Sequence, residues 1–108
     1  MKLPTEIFGD VIVVHTPEEL GDESARRLEA YLTSLERSNL IVDMDGTETI
    51  DSSGLEAILL AQEALRLLGG DLKISTSNTF NRKILELTRL DQQFEVFESV
   101  IDAVKSFN

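Results

Sequence analysis

The sequence predicts a single α/β domain spanning residues 1–108, in which a mixed, largely parallel sheet of about four to five strands packs against about four helices. Three observations support this class. Strand-type and helix-type patterns alternate along the chain after an opening hairpin. The run Leu40–Met44 is apolar at nearly every position, as in a central strand covered on both faces. With 108 residues and 42% hydrophobic content, the chain can build one core but not two.

The chain opens with a predicted β-hairpin. Leu3–Phe8 and the β-branched run Val11–Val14 are typical of strands, and Gly9-Asp10 supplies the turn between them. The later strands are expected at Leu40–Met44, Leu72–Ser75 and near Glu95–Phe97.

Thr16–Glu19 predicts the start of the first helix, because it combines an N-cap, a proline at the first helical position and a glutamate three residues after the cap. Gly21-Asp22 either breaks or restarts the first turn. Apolar residues recur at helical spacing behind it, so one face of the helix is expected to lie on the sheet. These residues are Ala25, Leu28, Leu32 and Leu35.

A second helix is expected to run to about Leu68, where Gly69-Gly70-Asp71 supplies a stop. At 100° per residue it has an apolar arc that should face the core. This arc contains Ala57, Leu60, Ala61, Ala64, Leu65, Leu67 and Leu68, with Ile58 at its border. The opposite arc holds Glu56, Gln62, Glu63 and Arg66, but also Leu55 and Leu59. We expect these two leucines either to be covered by a loop or to contact a partner.

Two further helices are predicted toward the end of the chain from apolar residues at helical spacing. The third is indicated by Phe80, Ile84, Leu87 and Leu90, and the last by Val100, Ile101, Val104 and Phe107.

The segment Asp51-Ser52-Ser53-Gly54-Leu55 places two hydroxyls at the start of the second helix. Unpaired backbone N–H groups and a partial positive charge at a helix start would stabilise an anionic group added there. Ser and Asp are also common N-caps, so a simple cap is the alternative. Extending the helical wheel backwards places Ser52 on the polar side and Ser53 toward the core.

The segment Ile50–Leu55, after a strand and before a helix, resembles the signature of the STAS domain. This family contains the anti-sigma factor antagonists and domains at the ends of sulfate transporters, and its fold has the same order of elements. In the family, the serine directly after the aspartate is phosphorylated by a partner protein kinase, and that position is Ser52. Together with the helical wheel, this leads us to expect a partner-binding surface of Asp51, Ser53, Gly54, Leu55, Glu56, Leu59 and Asp22.

The resemblance implies an anti-sigma factor antagonist. Such a protein binds a kinase-type anti-sigma factor while Ser52 is unphosphorylated, and sigma factor is then released for transcription. The anti-sigma factor serine kinase, with Mg-ATP on its own side, phosphorylates Ser52 and weakens the complex, and a phosphoserine phosphatase resets it. No cofactor of the chain itself is implied. The alternative is a phosphorylation-independent STAS scaffold that assembles with itself or with a sensor.

One position departs from the family pattern. In phosphorylatable members, an aspartate commonly follows the leucine of a Gly-Glu-Leu-Asp segment after the second strand. The comparable stretch here is Glu18–Asp22, which places Gly21 at the acidic position and Asp22 one residue later. Either the loop absorbs this shift, or the acidic contact with the usual kinase is missing.

Composition excludes several function classes. Ten basic and twenty acidic residues give a net charge of −10, and no Lys/Arg stripe interrupts this balance. Nucleic acid is therefore not expected as a partner. A protein with a basic surface patch would suit this charge. The chain has no cysteine, which excludes thiol catalysis and Cys-rich metal sites. No leader or long apolar run appears, so we expect a cytoplasmic protein without a membrane segment.

Catalytic and metal sites are also not expected. The only histidine is His15, at a strand end, and Ser52 lacks the Gly-x-Ser-x-Gly setting of a hydrolase nucleophile. The cluster of Asp43, Asp45, Glu48 and Asp51 would suit a magnesium site of a phospho-receiver domain. Such a site also needs a second acidic pair and a lysine at a strand end, and Lys73 lies at the wrong end of its strand. Turn chemistry and solubility at the sheet edge explain the carboxylates more simply.

Overall fold

The computed structural model describes residues 2–107, except for the side chain of Asp22. The strands are β1 (Thr5–Phe8), β2 (Val11–His15), β3 (Glu19–Leu20), β4 (Asn39–Asp43), β5 (Thr49–Ile50), β6 (Asp71–Ser75) and β7 (Val96–Phe97). The helices are α1 (Asp22–Ser34), α2 (Ser52–Leu67), α3 (Thr79–Leu87) and α4 (Val100–Lys105), with a 3-10 turn at Leu90–Gln92.

The main sheet has five strands in the order β1-β2-β4-β6-β7. β1 is antiparallel to β2, and the other neighbours are parallel. β4 lies in the middle, with Leu40, Ile41 and Val42 fully buried. The predicted mixed, mostly parallel sheet with an opening hairpin and a central third strand is therefore confirmed.

Helices pack on both faces of this sheet, because successive residues of a strand point to opposite sides. Leu40 and Val42 of β4 belong to the large core beneath α1 and α2. Ile41, between them, belongs to a second cluster beneath α4.

A buried lysine fastens α4 to its face of the sheet. The Nζ of Lys73 on β6 donates hydrogen bonds to the carbonyl oxygen of Ser106 at 3.2 Å and to its hydroxyl at 2.9 Å. The same ammonium lies 4.2 Å from the centre of the Phe107 ring. A six-residue helix is too short to be stable alone, so α4 depends on this packing.

The predicted start of the first helix at Thr16 was wrong, because α1 begins at Asp22. The side chain of Thr16 bonds to the hydroxyl of Thr47 at 2.5 Å and to the carbonyl of Asp43 at 3.2 Å, so it does not cap a helix. Glu19 and Leu20 form β3, and Leu20 is buried. Strand pairing and burial of Leu20 therefore override the local capping pattern.

The predicted core face of α2 was also partly wrong. Leu60, Leu67 and Leu68 are 39%, 89% and 73% exposed, whereas Leu55 and Gln62 from the opposite arc are 6% and 1% exposed. Gln62 is tolerated in the core because its Nε2 donates to the carbonyl oxygens of Leu72 and Gln93, at 3.3 and 3.1 Å. Compared with the predicted orientation, α2 is rotated about its axis. The hydrogen-bonded amide of Gln62 lies on the buried face, and Leu60 and Leu67 do not.

In α3 and α4, too, some of the residues predicted to face the core are exposed. Phe80 and Leu87 of α3 and Ile101 of α4 are exposed, whereas Leu85 is buried. Leu90 lies beyond α3, in the 3-10 turn, because Arg89 takes a left-handed conformation with φ of 62° and ends the helix. The predicted existence of both helices is confirmed, but their core-facing residues were only partly identified.

Candidate functional site at the start of helix α2

Ser52 is the first residue of α2, and its side chain is exposed. Asp51 is the N-cap: its backbone is extended, and its Oδ1 accepts a hydrogen bond from the amide of Gly54 at 3.1 Å. The next residue, Ser53, is half-buried. The predicted helix start is therefore confirmed, and Ser52 presents its hydroxyl to solvent beside a capped helix end.

A second, two-stranded sheet holds this helix start in place. β3 pairs in parallel with β5, with Leu20 opposite Ile50. Directly after β5, the amide of Asp51 donates to the carbonyl oxygen of Leu20 at 3.0 Å. Sequence reasoning missed this sheet, because strands of two residues carry no measurable periodicity.

Gly54 permits the close approach of α2 to β3. A Cβ added at Gly54 would lie 2.7 Å from the carbonyl oxygen of Leu20 and 2.9 Å from its Cγ. Gly54 is buried on this side of the helix. The glycine of the signature is therefore required by packing against β3.

Position 21 faces the carboxylate of the N-cap. A Cβ added at Gly21 would lie 2.8 Å from Oδ2 of Asp51. An aspartate at this position would bring a second carboxylate toward Asp51. The side chain of Asp22 lies outside the described residues, so its expected partner contact stays a prediction.

A shallow groove of about 320 Å³ lies beside Ser52. It is lined by Ser52, Leu55, Glu56, Leu59, Thr88 and Leu90. The structure thus brings together four of the residues expected from the sequence and adds Thr88 and Leu90, which sequence reasoning did not connect with the site. Leu90 follows Arg89, whose backbone is in the left-handed conformation. No local sequence pattern shows where the side chain of Leu90 lies after this turn.

The two leucines of α2 have different environments within this groove. Leu55 is buried, whereas Leu59 is half-buried and packs against the main core. The segment containing Thr88 and Leu90 forms the other wall of the groove. Leu55 is therefore part of the main core, and the expected partner contact of these two leucines stays a prediction.

Ser53 lies on a different surface from Ser52. It lines a groove of about 680 Å³ between α1 and α2, together with Arg26, Glu56 and Leu60. Glu56 lines both grooves and is exposed. Exposed carboxylates of Asp51 and Glu56 thus lie on either side of Ser52 along the chain and give the site a negative local charge.

Comparison with known proteins identifies the family. The family model for the STAS domain matches residues 2–103. The chain is a STAS domain.

Relatives of this STAS domain include a Thermotoga maritima protein named as an anti-sigma factor antagonist, which is 22% identical over 106 residues and covers 94% of each chain. The crystal structure of an anti-sigma factor antagonist from Thermotoga maritima superposes with a TM-score of 0.85 at 21% identity, covering 96% of this chain and 92% of the other. One from Mycobacterium paratuberculosis gives 0.84 at 23% identity, covering 97% and 92%. These likenesses show that the fold is that of STAS domains.

A phosphorylated relative has the same fold. The Bacillus cell fate determinant SpoIIAA in its phosphorylated form matches this STAS domain with a TM-score of 0.73 and 15% identity, over 99% of this chain and all of the other.

Two carboxylates at the end of β4 and just beyond it, Asp43 and Asp45, make structural hydrogen bonds. Oδ1 of Asp43 accepts from the hydroxyl of Ser75 at 3.3 Å, and Oδ1 of Asp45 accepts from the amide of Ser77 at 2.6 Å. Among the side chains that the structure describes, which exclude that of Asp22, no three His, Asp or Glu come together so that they could hold a metal ion. Within residues 2–107 no helix is both long and apolar enough to cross a membrane.

His15 joins the hairpin of the STAS domain to its central strand. Its Nδ1 lies 2.8 Å from Oδ2 of Asp43, and its Nε2 lies 2.7 Å from Oε1 of Glu6. Burial of the ring lowers the pKa of His15, but hydrogen bonds to the two carboxylates and their negative charges outweigh burial, so its pKa lies above the usual 6.5.

We therefore expect the stability of the domain to depend on pH through His15. A pKa raised by folding contributes stability that is fully present below the unfolded value of 6.5 and is lost as pH rises through the higher folded value. Chemical denaturation between about pH 6 and 9 should show a fall of about 1 kcal/mol or less, since the pair with Glu6 is exposed. His15→Gln should lack this fall, and an equal fall in that variant would assign the dependence to other groups.

Proposed function

We propose that this STAS domain is an anti-sigma factor antagonist whose surface around Ser52 binds a kinase-type anti-sigma factor. Binding occurs while Ser52 is unphosphorylated and releases sigma factor, and phosphorylation of Ser52 ends it. The observation that carries this proposal is the exposed hydroxyl of Ser52 at the start of α2, at the edge of an open apolar groove. The relatives named as anti-sigma factor antagonists support it.

The groove beside Ser52 suits an apolar side chain of the partner. Leu55, Leu59 and Leu90 supply apolar lining, and the groove of about 320 Å³ has the size for one or two such side chains. The net charge of −10 favours a partner whose surrounding surface is basic. Asp51 and Glu56 complete the proposed partner-binding surface, Ser53 extends it into the neighbouring groove between α1 and α2, and the buried Gly54 acts by positioning α2.

Phosphorylation of Ser52 would weaken binding through charge at the interface. The phosphate adds about −1.5 to −2 charges, beside the carboxylates of Asp51 and Glu56. A docked partner then meets like-charge repulsion and the cost of removing water from the phosphate. Because the hydroxyl is exposed and lies at a helix start, the fold accommodates this group without rearrangement.

On this proposal the domain is a ligand and a substrate but not a catalyst. The anti-sigma factor serine kinase supplies Mg-ATP, and a separate phosphoserine phosphatase removes the phosphate. The domain carries no cofactor in this cycle, acts on transcription through protein contacts, and works in the cytoplasm.

A phosphorylation-independent scaffold is the second candidate. Gly21 favours it, because this residue stands at an acidic position of phosphorylatable members, and a Cβ there would lie 2.8 Å from Oδ2 of Asp51. On this view Ser52 only begins α2, and the groove serves contacts with the same chain or with a sensor.

Binding of the kinase is expected to depend on the charge at Ser52. Ser52→Ala and Ser52→Asp baits are compared by affinity capture from the host lysate and mass spectrometry. The alanine bait should retain an ATP-binding, kinase-like protein, and the aspartate bait should lose at least about nine-tenths of it, because one carboxylate reproduces only part of the phosphate charge.

Ser99→Asp provides a matched charge control. Ser99 is also exposed and caps a helix, since its hydroxyl accepts from the amide of Asp102 at 3.1 Å, but that helix is α4 on the opposite face of the sheet. This bait should retain the kinase. Equal capture by Ser52→Ala and Ser52→Asp would contradict the switch and favour the scaffold.

A further inference from the structure

Helix α3 presents an uncovered apolar face near the groove beside Ser52. Phe80 and Leu87 are 59% and 73% exposed, and because they are seven positions apart they lie on the same side of the helix. Lys83 lies between them on that side, three positions after Phe80 and four before Leu87. We call these three residues the α3 face. Large apolar side chains at this spacing normally point into a core, so the exposed pair is a candidate contact surface.

The α3 face adjoins one wall of the groove beside Ser52. Thr88, which follows Leu87 directly, and Leu90 form this wall. The other large exposed leucine pair, at the end of α2, is farther away, because Leu67 lies about 22 Å along the helix from Ser52 at 1.5 Å per residue. The α3 face is therefore continuous with the groove, whereas the end of α2 is not.

The groove beside Ser52 is too small to be a whole interface. Six residues line it, whereas a stable protein–protein interface has about 20–30 residues on each side. A partner that docks at Ser52 must therefore cover neighbouring surface as well. Exposed apolar side chains next to the groove gain most from being covered, because burial removes their surface from water.

The α3 side of the groove also differs in charge from the α2 side. Residues 79–89 contain three basic side chains and one acidic side chain, in a chain with a net charge of −10. Lys83 and Arg89 are exposed and have no ion pair within 4.0 Å among the described side chains. On the α2 side, the exposed carboxylates of Asp51 and Glu56 carry negative charge. The groove therefore lies between a basic and an acidic surface.

We propose that the α3 face forms part of the surface that binds the kinase-type anti-sigma factor. This inference rests on the proposed function of Ser52 and specifies the chemistry of the partner. An apolar part of the partner covers the two apolar side chains of the α3 face. Acidic residues beside that part pair with Lys83 and Arg89, and basic residues pair with the carboxylates at the start of α2. Two charge contacts of opposite sign fix the orientation in which the partner docks across Ser52.

The test measures the affinity of the partner for variants of the full chain that also carry Ser52→Ala, which keeps the domain unphosphorylated. The kinase-like protein retained by the Ser52→Ala bait is identified by mass spectrometry, purified and titrated in biolayer interferometry. We expect Leu87→Asp to raise the Kd at least tenfold. Leu67→Asp makes the same change at a position that is 89% exposed but lies outside the proposed surface, and it should leave the Kd within twofold.

Lys83→Glu tests the charge contact without removing apolar surface. It should raise the Kd at least threefold, and the effect should shrink at high salt because salt screens exposed charges. Lys105→Glu makes the same change on α4, on the opposite face of the sheet, and should leave the Kd within twofold. Because both lysines are exposed, both variants should keep the circular dichroism spectrum and Tm of the parent.

The outcomes separate the role of the α3 face from that of Ser52. Unchanged affinity for both Leu87→Asp and Lys83→Glu, with a partner that still distinguishes Ser52→Ala from Ser52→Asp, would overturn the inference and leave the proposed function intact. An equal loss of affinity for Leu67→Asp would also overturn it, because the effect would not be specific to α3. If the Ser52→Ala bait retains no kinase-like protein, the proposed function fails, and the inference fails with it.

Discussion

Leu65→Ala is expected to lower the free energy of unfolding by about 2–5 kcal/mol. Leu65 is 2% exposed and packs in the main core beneath α2. Truncation removes buried apolar surface and leaves a cavity in close-packed surroundings, and both effects destabilise the folded state. Urea denaturation followed by circular dichroism measures the change.

Leu67→Ala is the matched control for this prediction. It makes the same chemical change two positions along the same helix, but Leu67 is 89% exposed. We expect a change within about 0.5 kcal/mol. The comparison is informative because the hydrophobic pattern assigns both leucines to the core face. Comparable losses for the two variants would show that α2 is rotated relative to the structure described above.

Gly54→Ala is expected to destabilise the domain by about 1–3 kcal/mol, the second largest effect. Alanine normally stabilises a helix relative to glycine by about 0.5–1 kcal/mol. At this position the added Cβ would lie 2.7 Å from the carbonyl oxygen of Leu20, so either β3 or the start of α2 must move. Such a shift would also disturb the N-cap bond between Gly54 and Asp51.

Gly46→Ala tests whether this loss comes from the close contact. A Cβ at Gly46 would meet only the carbonyl oxygen of Thr16, at an ordinary 3.8 Å. We expect Gly46→Ala to be neutral or slightly stabilising, because it reduces the freedom of the unfolded chain. Thermal denaturation of both variants gives the comparison. A stabilised Gly54→Ala would mean that α2 does not approach β3 as closely as the structure shows.

Local patterns predicted the helix start at Ser52 because its cap and the helical pattern that follows are local, although the contacts with β3 also hold it in place. Asp51 caps its own helix, and the apolar run before it and the periodicity after it lie within a few residues. The order of the main strands along the chain was predictable for the same reason. The family resemblance added the expectation that Ser52 is phosphorylated, which the cap alone did not distinguish from a structural role.

Features that depend on distant residues were not predictable. The burial of Gln62 requires the carbonyl oxygens of Leu72 and Gln93, which lie 10 and 31 positions away. Thr16 has the sequence of an N-cap, but its hydroxyl bonds to residues 27 and 31 positions away. In both cases hydrogen bonds to distant residues determine where the side chain lies. The hydropathy pattern along the chain does not reveal these bonds.

The hydrogen bonds of the Asp43 carboxylate favour the native register of the strands in the main sheet. It lies at the end of the central strand and bonds to His15 and Ser75, which are 28 and 32 positions away on the two flanking strands. A slip of either neighbour by one residue would move its partner side chain to the opposite face and remove one hydrogen bond from a buried carboxylate. Misaligned sheets would therefore be less stable than the native one, and the chain has an internal preference for a single strand alignment before any partner is bound.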